Sequence, residues 1–327
     1  MVDCHFLYNN TNTVAIGSTI PIAGALIGEC GGGVTIERCS NNAHVRVEGF
    51  VEGQDGGAGG LVGKSTSNSG SPVIRECANF GPVEASAIVP AGGIIGHVGT
   101  ESGTFSITLV DTFNYGPVTS PLAAGGLIGR YRGVASVLRN NGNSGAVRCD
   151  TCWAGGLVGF ISFNDNNRTW RIRNALQAGE VITYNGFAGI VVGGVEESIG
   201  SGLTMVVSNV VMAGSARATS YGAKMGLLIA GRDTNSQYDT AFIVEDCCVL
   251  ASNAALPHYY DKNNEPANFE TAPATFQPRA LLDGSIKEQL DRAARDNSWM
   301  RWIQGFPCPE LALFGTEYVP GLRFSIW

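Results

Sequence analysis

Short apolar stretches recur along the first 250 residues and are separated by Gly, Asn, Ser or Pro. They are brief and rich in Val and Ile, which is typical of strands rather than helices. One class of stretch opens on an apolar residue that recurs at steps of 35, 33, 33, 30, 33 and 37 residues. The residues at these steps are Leu26, Leu61, Ile94, Leu127, Leu157, Ile190 and Leu227. The pattern predicts a repeat built from strands.

A glycine-rich phrase accompanies each of these positions, with Gly155-Gly-Leu-Val-Gly159 as a clear copy. A unit of 30–37 residues cannot bury its own apolar face, so neighbouring units must stack. We therefore predict an all-β fold, a parallel β-solenoid of about seven 30–37-residue repeats spanning residues 1–250. Glycine fits turns and close backbone approach, which is the structural role that we assign to the repeat glycines. These are Gly28, Gly60, Gly63, Gly93, Gly96, Gly126, Gly129, Gly156 and Gly159.

A second phrase runs in phase with the first, as in Ile74-Arg-Glu-Cys77 followed by Asn79. Equivalent Asn residues in stacked coils can form a ladder that satisfies buried turn backbone. Cys4, Cys39 and Cys77 share one slot, so we expect them to stack as small core residues. Because Val2-Asp-Cys4 already fits this slot, the chain is expected to begin inside a repeat, and no signal peptide is visible.

The combination of Gly-Gly-Leu-Val-Gly with a trailing Cys/Asn-x-Asn-x-Gly-x-Val resembles the GLUG repeat. The resemblance covers about residues 1–250 and extends to the C-terminal phrases His258-Tyr-Tyr-Asp261 and Trp299-Met-Arg-Trp302-Ile303. GLUG repeats occur in large, mostly secreted or surface-anchored microbial proteins. The resemblance implies a display or adhesion region, sometimes beside catalytic domains, and it supplies no catalytic residues.

Residues 251–327 differ in composition and are predicted to form a connector, a helix and a capping segment. The helix is expected from Leu281 to Asn297, with Ser285 and Glu288 forming a capping box. An open solenoid end exposes a sheet edge, so we expect the helix and a Trp-rich segment to cap the last coil. The aromatic residues are expected to form the core of this cap, with a carbohydrate-stacking platform as the alternative. They are Trp299, Trp302, Phe306 and Trp327.

Composition excludes several classes of function. The net charge is −7, and the 21 basic residues do not cluster, which argues against nucleic-acid binding. No apolar run reaches the roughly 18–20 residues that a transmembrane helix needs. Glycine is abundant, with 45 residues, and charged residues make up only 15% of the chain, as expected for repeated tight turns.

Candidate chemistry is sparse. Glu76 and Asp111 hold the same slot in adjacent units, so stacked coils would bring them about 5 Å apart, as in a retaining glycosidase or a calcium site. The same slot is predicted to contain Asp3, Arg38, Arg139, Arg173 and Asp246, and this mixture of signs favours a solvated ladder of charges. Catalysis by Glu76 and Asp111 and calcium binding are the weaker alternatives, and no cofactor is predicted.

The nine cysteines allow either disulfides or buried thiols. Cys149 and Cys152 are half of a zinc pattern without its second half, so a local disulfide or ordinary thiols are expected. Asn9 and Asn167 fit the glycosylation acceptor pattern, which matters only in a secreted eukaryotic protein.

These observations favour a non-enzymatic extracellular or cell-surface module for adhesion, display or structural assembly. Its partner would be a protein or glycan surface, or neighbouring copies of the chain. The alternatives are a β-helical polysaccharide-degrading enzyme and an intracellular structural scaffold.

Overall fold

Four parallel sheets run along the axis of the molecule in a computed structural model of the chain. The structure describes residues 5–6, 12–15, 21–48, 56–66, 71–86, 88–99, 105–133, 135–163, 168–197, 203–233, 241–261, 263, 265–269, 272–305 and 308–313. Each coil contributes strands to the four sheets in a fixed order, and equivalent strands of successive coils pair in parallel. The predicted parallel β-solenoid is therefore confirmed.

The sheets are numbered here by their order within a coil. Sheet 1 contains His5–Phe6, Ser40–Asn41, Val73–Asn79, Ser106–Asn114, Ala135–Asn143, Arg168–Gln177, Leu203–Met212, Cys248–Leu250 and Ala274–Phe276. Two further strands of this sheet are Thr35–Glu37, which pairs with Val73–Asn79, and Ala241–Glu245, which pairs with Leu203–Met212. Sheet 2 contains Asn12–Ala15, Val45–Glu48, Val83–Ala85, Val118–Thr119, Val147–Cys149, Val181–Thr183 and Ala216–Ala218. Sheet 3 contains Ile22–Gly24, Gly57–Gly59, Ala91–Gly92, Ala123–Gly125, Trp153–Gly155, Phe187–Gly189 and Lys224–Gly226. Sheet 4 contains Ile27–Cys30, Val62–Ser65, Ile95–Val98, Ile128–Arg132, Val158–Phe163, Val192–Glu197 and Ile229–Asp233.

Two apolar cores run side by side through the coils. One joins sheet 1 to sheet 4, with Leu109 and Ile128 among its buried residues. The other joins sheet 2 to sheet 3, with Val118 and Ala124 among its members. Stacked coils remove these side chains from water while neighbouring strands satisfy the backbone, which is why the repeats fold together.

The glycine-rich phrase forms the tight turn between sheets 3 and 4. A Cβ on Gly126 would lie 2.0 Å from the carbonyl oxygen of Gly156 in the next coil and 2.4 Å from Cγ of Asn143. Only glycine fits so close a backbone approach. The turn therefore projects inward and touches the junction between sheets 1 and 2.

An inner amide ladder occupies that junction, as the sequence predicts. Asn79 donates from Nδ2 to Gly81 O and to Asn114 Oδ1, both at 2.8 Å. The same two-way donation recurs in successive coils, so the ladder satisfies buried turn carbonyls and links the coils. Its members are Asn41, Asn79, Asn114, Asn143 and Gln177.

The C-terminal end of the solenoid is covered by the segment that was predicted to be an irregular connector. The carbonyls of Pro257 and His258 accept hydrogen bonds from Leu227 N and Leu228 N at 2.9 and 2.8 Å. Tyr259 packs against the core of sheets 1 and 4 together with Leu256 and Phe269. This segment satisfies amides of the last coil and shields its apolar residues. It includes the 3₁₀ helix Ala251–Asn253 and an antiparallel pair, Tyr259–Tyr260 with Pro266–Ala267.

The C-terminal helix runs from Ser285 to Asp296 and follows the 3₁₀ helix Pro278–Leu281. The predicted capping box is wrong, because Ser285 is already inside the helix and Glu288 pairs with Arg295 at 2.6 Å. Gly284 precedes the helix with a φ of +89°. This left-handed residue places Asp283 beside the first turn, where its Oδ1 accepts a hydrogen bond from Ser285 N at 3.0 Å.

The helix lies along the flank of the solenoid rather than over its end, which corrects the predicted position of the cap. Ile286, Leu290 and Ala294 pack on an outward-facing column of sheet 1. That column contains apolar residues where a solvated sheet would be polar, so it forms a third core with the helix. Its apolar side chains are those of Ala78, Phe113, Leu176, Val211 and Cys248, and Gly142 lies between Phe113 and Leu176 in the same register. The antiparallel pair Trp302–Ile303 with Glu310–Leu311 packs in the same core. We call the helix Ser285–Asp296 and this strand pair together the C-terminal flap.

Trp302 is buried in the third core and Trp299 packs against it, as expected for cap residues. Phe306 and Trp327 lie outside the described residues. Within the described part of the chain, no helix is both long enough and apolar enough to span a membrane.

Candidate functional site

One column of sheet 1 has a left-handed backbone in every described coil. Glu76 and Asp111 are adjacent members, with φ of 54° and 53°. Asn and Asp tolerate this conformation best among non-glycine residues, which explains their prevalence here. The full column is Arg38, Glu76, Asp111, Asn140, Asn174, Asn209 and Asp246. The sequence-predicted pair of carboxylates is thus brought together by the fold.

The predicted assignment of Arg139 and Arg173 to this column is wrong by one residue. Arg139 aligns with Val110, and Arg173 aligns with Arg139. Asn140 and Asn174 hold the slot instead. A shift of one residue exchanges the two faces of a strand, so asparagines hold the two positions that were predicted to carry arginines, and three of the seven described members of the column are asparagines.

This column forms an outer amide ladder that holds the flap in place. Asn209 donates from Nδ2 to Asn174 Oδ1, and Asn174 donates to Asn140 Oδ1, each at 2.6 Å. Gln289 of the C-terminal helix donates to Asn209 Oδ1 at 2.8 Å. Asn140 also donates to Met300 O at 2.8 Å. The ladder therefore binds both the helix and the strand that follows it.

Asp111 ends the outer ladder. Its Oδ1 accepts hydrogen bonds from Asn140 Nδ2 and from Met300 N, the latter at 3.0 Å. Burial raises the pKa of Asp111 above its ordinary value, and the nearby Glu76 adds to the rise, while these two hydrogen bonds oppose it. Only 8% of Asp111 is exposed and Asn140 is fully buried, so the expected solvated ladder is wrong for the middle coils. The carboxylate of Asp111 is used to dock the flap.

The cysteines are thiols in the described part of the chain. Cys39 and Cys77 stack as predicted, with Cys39 N donating to Cys77 Sγ at 3.4 Å and both residues fully buried. Of the two alternatives for Cys149 and Cys152, a local disulfide or ordinary thiols, the structure has the thiols. The sulfur of Cys149 accepts from the backbone of the following turn, and burial raises its pKa to about 12. Asp3, Cys4, Asn9 and Asn167 lie outside the described residues.

The described residues contain no group of three or more His, Cys, Asp or Glu side chains placed to bind a metal ion.

A cleft lies on the outer side of the glycine turn, where the outward faces of sheets 3 and 4 meet. Phe160 of sheet 4 stacks on Trp153 of sheet 3 with ring centroids 4.9 Å apart, and Trp153 stacks on Phe187 at 4.2 Å. A cation lies at each end of this aromatic run. The Arg130 guanidinium lies 5.6 Å from the Phe160 centroid, and Lys224 Nζ lies 5.9 Å from the Phe187 centroid. The run therefore lines the cleft over several coils.

The cleft opens into a cavity of about 310 Å³ beside the Arg130 end of the aromatic run. Sheet 3 explains its position, because Ala123 occupies the slot that Trp153 and Phe187 hold in the next two coils. Replacing an aromatic side chain by a methyl group leaves the space open. Arg130, Arg132 and Glu196 provide charged groups to the lining, alongside Leu122, Cys152, Trp153 and Phe160.

A basic column continues from the cavity toward the N-terminal coils. Lys64, His97 and Arg130 are in register on sheet 4. His97 is fully buried and its Nδ1 donates to Gly56 O at 3.2 Å. Burial lowers the pKa of His97 to about 3, assisted by the positive charges of Arg130 and Lys64. The imidazole is therefore neutral between two cations.

Sequence reasoning did not single out this cleft. A signal was present in the residue two positions before the Gly-Gly pair, which is Ala123 in one unit and Trp153 in the next. An aromatic side chain on the outward face of a strand indicates a binding surface rather than part of the core.

Four sheets of parallel, in-register strands wound about one axis define the protein as a parallel β-solenoid. It is similar to the crystal structure of "a putative immunoglobulin A1 protease from Bacteroides ovatus", with a TM-score of 0.55 and 13% sequence identity. The match covers 89% of this chain and 87% of that chain. At this identity the likeness shows the fold alone. No family model matches the chain, and no curated protein matches it. Membership of the GLUG-repeat family stays a prediction.

Proposed function

We propose that the protein is a non-enzymatic extracellular or cell-surface binding module, serving adhesion or display through the cleft between sheets 3 and 4. The observation that carries the proposal is the aromatic run that ends in an open, charged cavity. A set of rigid aromatic side chains beside a few convergent polar groups is the usual composition of a binding site.

The use of Asp111 supports a binding role over catalysis. A glycosidase needs one carboxyl group to donate a proton and a second to attack or activate water. Asp111 is instead engaged by Asn140 and by Met300 N beneath the flap. The neighbours of Glu76 in the column are Arg38 and the engaged Asp111, and the exposed carboxylate of Asp246 lies five coils away. The similar structure is described as that of "a putative immunoglobulin A1 protease", so hydrolysis is a necessary arm of any test.

The partner is proposed to be a glycan or protein surface presented outside the cell. Self-association into a larger assembly is a further outcome to be measured. The extracellular location rests on the GLUG-like repeat, and labelling of intact source cells with an antibody to the chain tests it. Absence of label on intact cells, with label after permeabilisation, contradicts the proposed location.

The experiment combines binding with product detection. The purified chain is screened on glycan and protein arrays, while reducing-sugar, unsaturated-product and peptide-cleavage assays run on the same ligands. We expect binding without product formation. Product that wild type releases, and that Glu76→Gln or Asp111→Asn does not, overturns the proposal. Both variants are compared with wild type by far-UV circular dichroism to establish that they fold.

A further inference from the structure

Three arginines lie together on the outward face of sheet 1, beside the flap. Arg139 and Arg173 are directly opposite each other on adjacent strands, and Arg171 lies two residues before Arg173 on the same face. Adjacent strands are about 4.8 Å apart and alternate residues of one strand about 6.6 Å apart, so the three side chains start from the corners of a compact triangle. We call these three residues the arginine triangle.

The arginine triangle lacks the acidic partner that Arg75 has in the same column of the sheet. Arg75 is in register with the column of Arg139 and pairs with Glu37 at 2.7 Å. In the part of the chain that the structure describes, no carboxylate forms an ion pair with Arg171 or Arg173. The Nε atom of Arg139 is buried and has no hydrogen-bond partner. Such a donor is uncommon in a native protein and calls for an explanation.

The arrangement is unfavourable for the folded chain alone. Like charges directly opposite each other on neighbouring strands destabilise a sheet. Burial raises the pKa of Asp111 and the charge of Arg139 partly opposes this rise, but the Asp111 carboxylate is already engaged by Asn140 and Met300 N. A local arrangement that costs stability without a compensating contact is expected at a functional site. The missing counter-charge is therefore expected on a ligand.

A groove of about 290 Å³ adjoins the arginine triangle where the flap meets sheet 1. Arg173, Ser208 and Glu245 are successive members of one outward column and line the groove from the sheet. Asn297 and Trp299, which lie between the helix and the strands of the flap, line it from the other side. Hydroxyl, amide and carboxylate oxygens beside an aromatic ring suit a ligand with many hydroxyl groups.

We propose that the arginine triangle binds the sulfate or phosphate ester group of a glycan, and that the sugar ring carrying the ester occupies the groove. Such an ester has three terminal oxygens and accepts hydrogen bonds from three guanidinium groups, whereas a carboxylate has only two oxygens. Hydroxyl groups of the ring donate to Glu245, which accepts hydrogen bonds when ionised. The charges of Glu245 and Asp246 disfavour a second ester close by, so the ligand is a sparsely esterified glycan. This surface is separate from the cleft between sheets 3 and 4 and goes beyond the proposed function.

A glycan fits this face better than a peptide or a nucleic acid. The strand Arg168–Gln177 is paired on both sides, with Ala135–Asn143 and with Leu203–Met212. An extended peptide binds a sheet by adding a strand at an open edge, and this face offers no such edge. Nucleic-acid binding needs a longer basic stripe than three residues.

The test uses one sugar with four different groups at the same carbon. Galactose 6-sulfate and galactose 6-phosphate carry the ester, galacturonate carries a carboxylate, and galactose is neutral. Each is titrated into the whole chain by calorimetry. We expect both esters to bind about tenfold or more tightly than galacturonate or galactose, because charge-assisted hydrogen bonds are lost with the weaker probes. The tighter ester identifies the source of the group. Added salt should weaken ester binding, since Arg173 is exposed.

Three variants locate the site. Arg173→Gln removes one corner of the arginine triangle and should weaken ester binding about tenfold or more. The same change should leave the melting temperature unchanged or raise it, because it relieves repulsion with Arg139. Arg75→Gln is the matched control, since it breaks the pair with Glu37 on the same face and should leave ester binding unchanged. Ser208→Phe fills the groove and should weaken both sugar esters but not inorganic sulfate.

The outcomes decide each part of the inference. Galacturonate that binds as tightly as the esters overturns the ester assignment. Ester binding that Arg173→Gln does not change, or that Arg75→Gln weakens equally, overturns the arginine triangle as the site. A phosphoserine peptide that binds more tightly than both sugar esters, or sugar-ester binding that Ser208→Phe does not weaken, overturns the glycan assignment. The same variants should bind the array ligands of the proposed function unchanged, because the cleft lies on other faces, and a parallel loss of both overturns the separation of the two surfaces.

Discussion

The inner amide ladder predicts that Asn114 is one of the most sensitive polar residues of the solenoid. Its Nδ2 donates to Gly116 O and Asn143 Oδ1 at 2.8 and 2.7 Å, and its Oδ1 accepts from Asn79 at 2.8 Å. Asn114→Ala removes all three hydrogen bonds and leaves buried partners unsatisfied. Each loss costs about 1–2 kcal/mol, so the free energy of unfolding should fall by about 3–6 kcal/mol.

The measurement is urea unfolding followed by far-UV circular dichroism and by Trp fluorescence, compared at the transition midpoint. Asn42→Ala is the matched control, because Asn42 is exposed one residue after the ladder residue Asn41. Asn114→Gln should recover part of the loss, since Gln177 occupies the same column in the native chain. A loss at Asn114→Ala below about 1 kcal/mol, or one equal to that of Asn42→Ala, refutes the ladder as a source of stability.

Three further predictions follow from the turn, the basic column and the outer ladder. Gly129→Ala should lower the melting temperature far more than Gly28→Ala. The new Cβ at position 129 would lie 2.5 Å from Gly96 O, whereas a Cβ at position 28 would have its nearest atom 4.0 Å away. Equal effects of the two substitutions would contradict the close approach at Gly129. The pKa of His97 is about 3 in the folded state and 6.5 in the unfolded state, so on acidification the unfolded state gains the proton first. The free energy of unfolding should therefore fall as the pH is lowered from 6.5 toward 3. His97→Gln should make the melting temperature less dependent on pH in this window. Asp111→Asn keeps the hydrogen-bond acceptor and removes a buried charge, so this variant should melt at or above the temperature of wild type at pH 7. Asp111→Ala should lower the free energy of unfolding by about 2–3 kcal/mol and make the flap accessible to limited proteolysis.

The solenoid and its inner ladder were predictable because their signals repeat in the sequence. The Gly-Gly phrase marks the turn, and Asn79 and Asn114 follow the apolar stretch at a constant offset. Stacking converts such a repeated offset into a column of contacts, so the sequence period determines the register.

The register error at Asn140 has a physical cause. The prediction placed Arg139 beside Asp111, which would put Leu138 beside Val110, whereas the structure aligns Leu138 with Leu109 through core packing. Asp111 and Asn140 are only 29 residues apart in sequence, and this part of the chain has the shortest spacing between repeat units. Burial of the apolar residue determines which neighbour lies opposite, and the polar residues then follow.

The position of the flap could not be read from the helix alone. Ile286, Leu290 and Ala294 form an apolar stripe, but a stripe does not identify the surface that it covers. The complementary signal lay in sheet 1, where Phe113, Leu176 and Val211 are apolar at outward positions. The cleft was missed for the same reason, because its lining residues come from different coils and become neighbours only in the folded solenoid.

The two amide ladders also differ in direction. The inner ladder donates toward the C-terminus, from Asn79 to Asn114 to Asn143. The outer ladder donates toward the N-terminus, from Asn209 to Asn174 and onward to Asp111. Their side-chain dipoles therefore oppose each other in the coils that contain both. An α-helix accumulates a macrodipole as it lengthens. Here each coil that contributes to both ladders adds two side-chain dipoles of opposite direction. The ladders therefore add little net dipole along the solenoid axis as the number of coils increases.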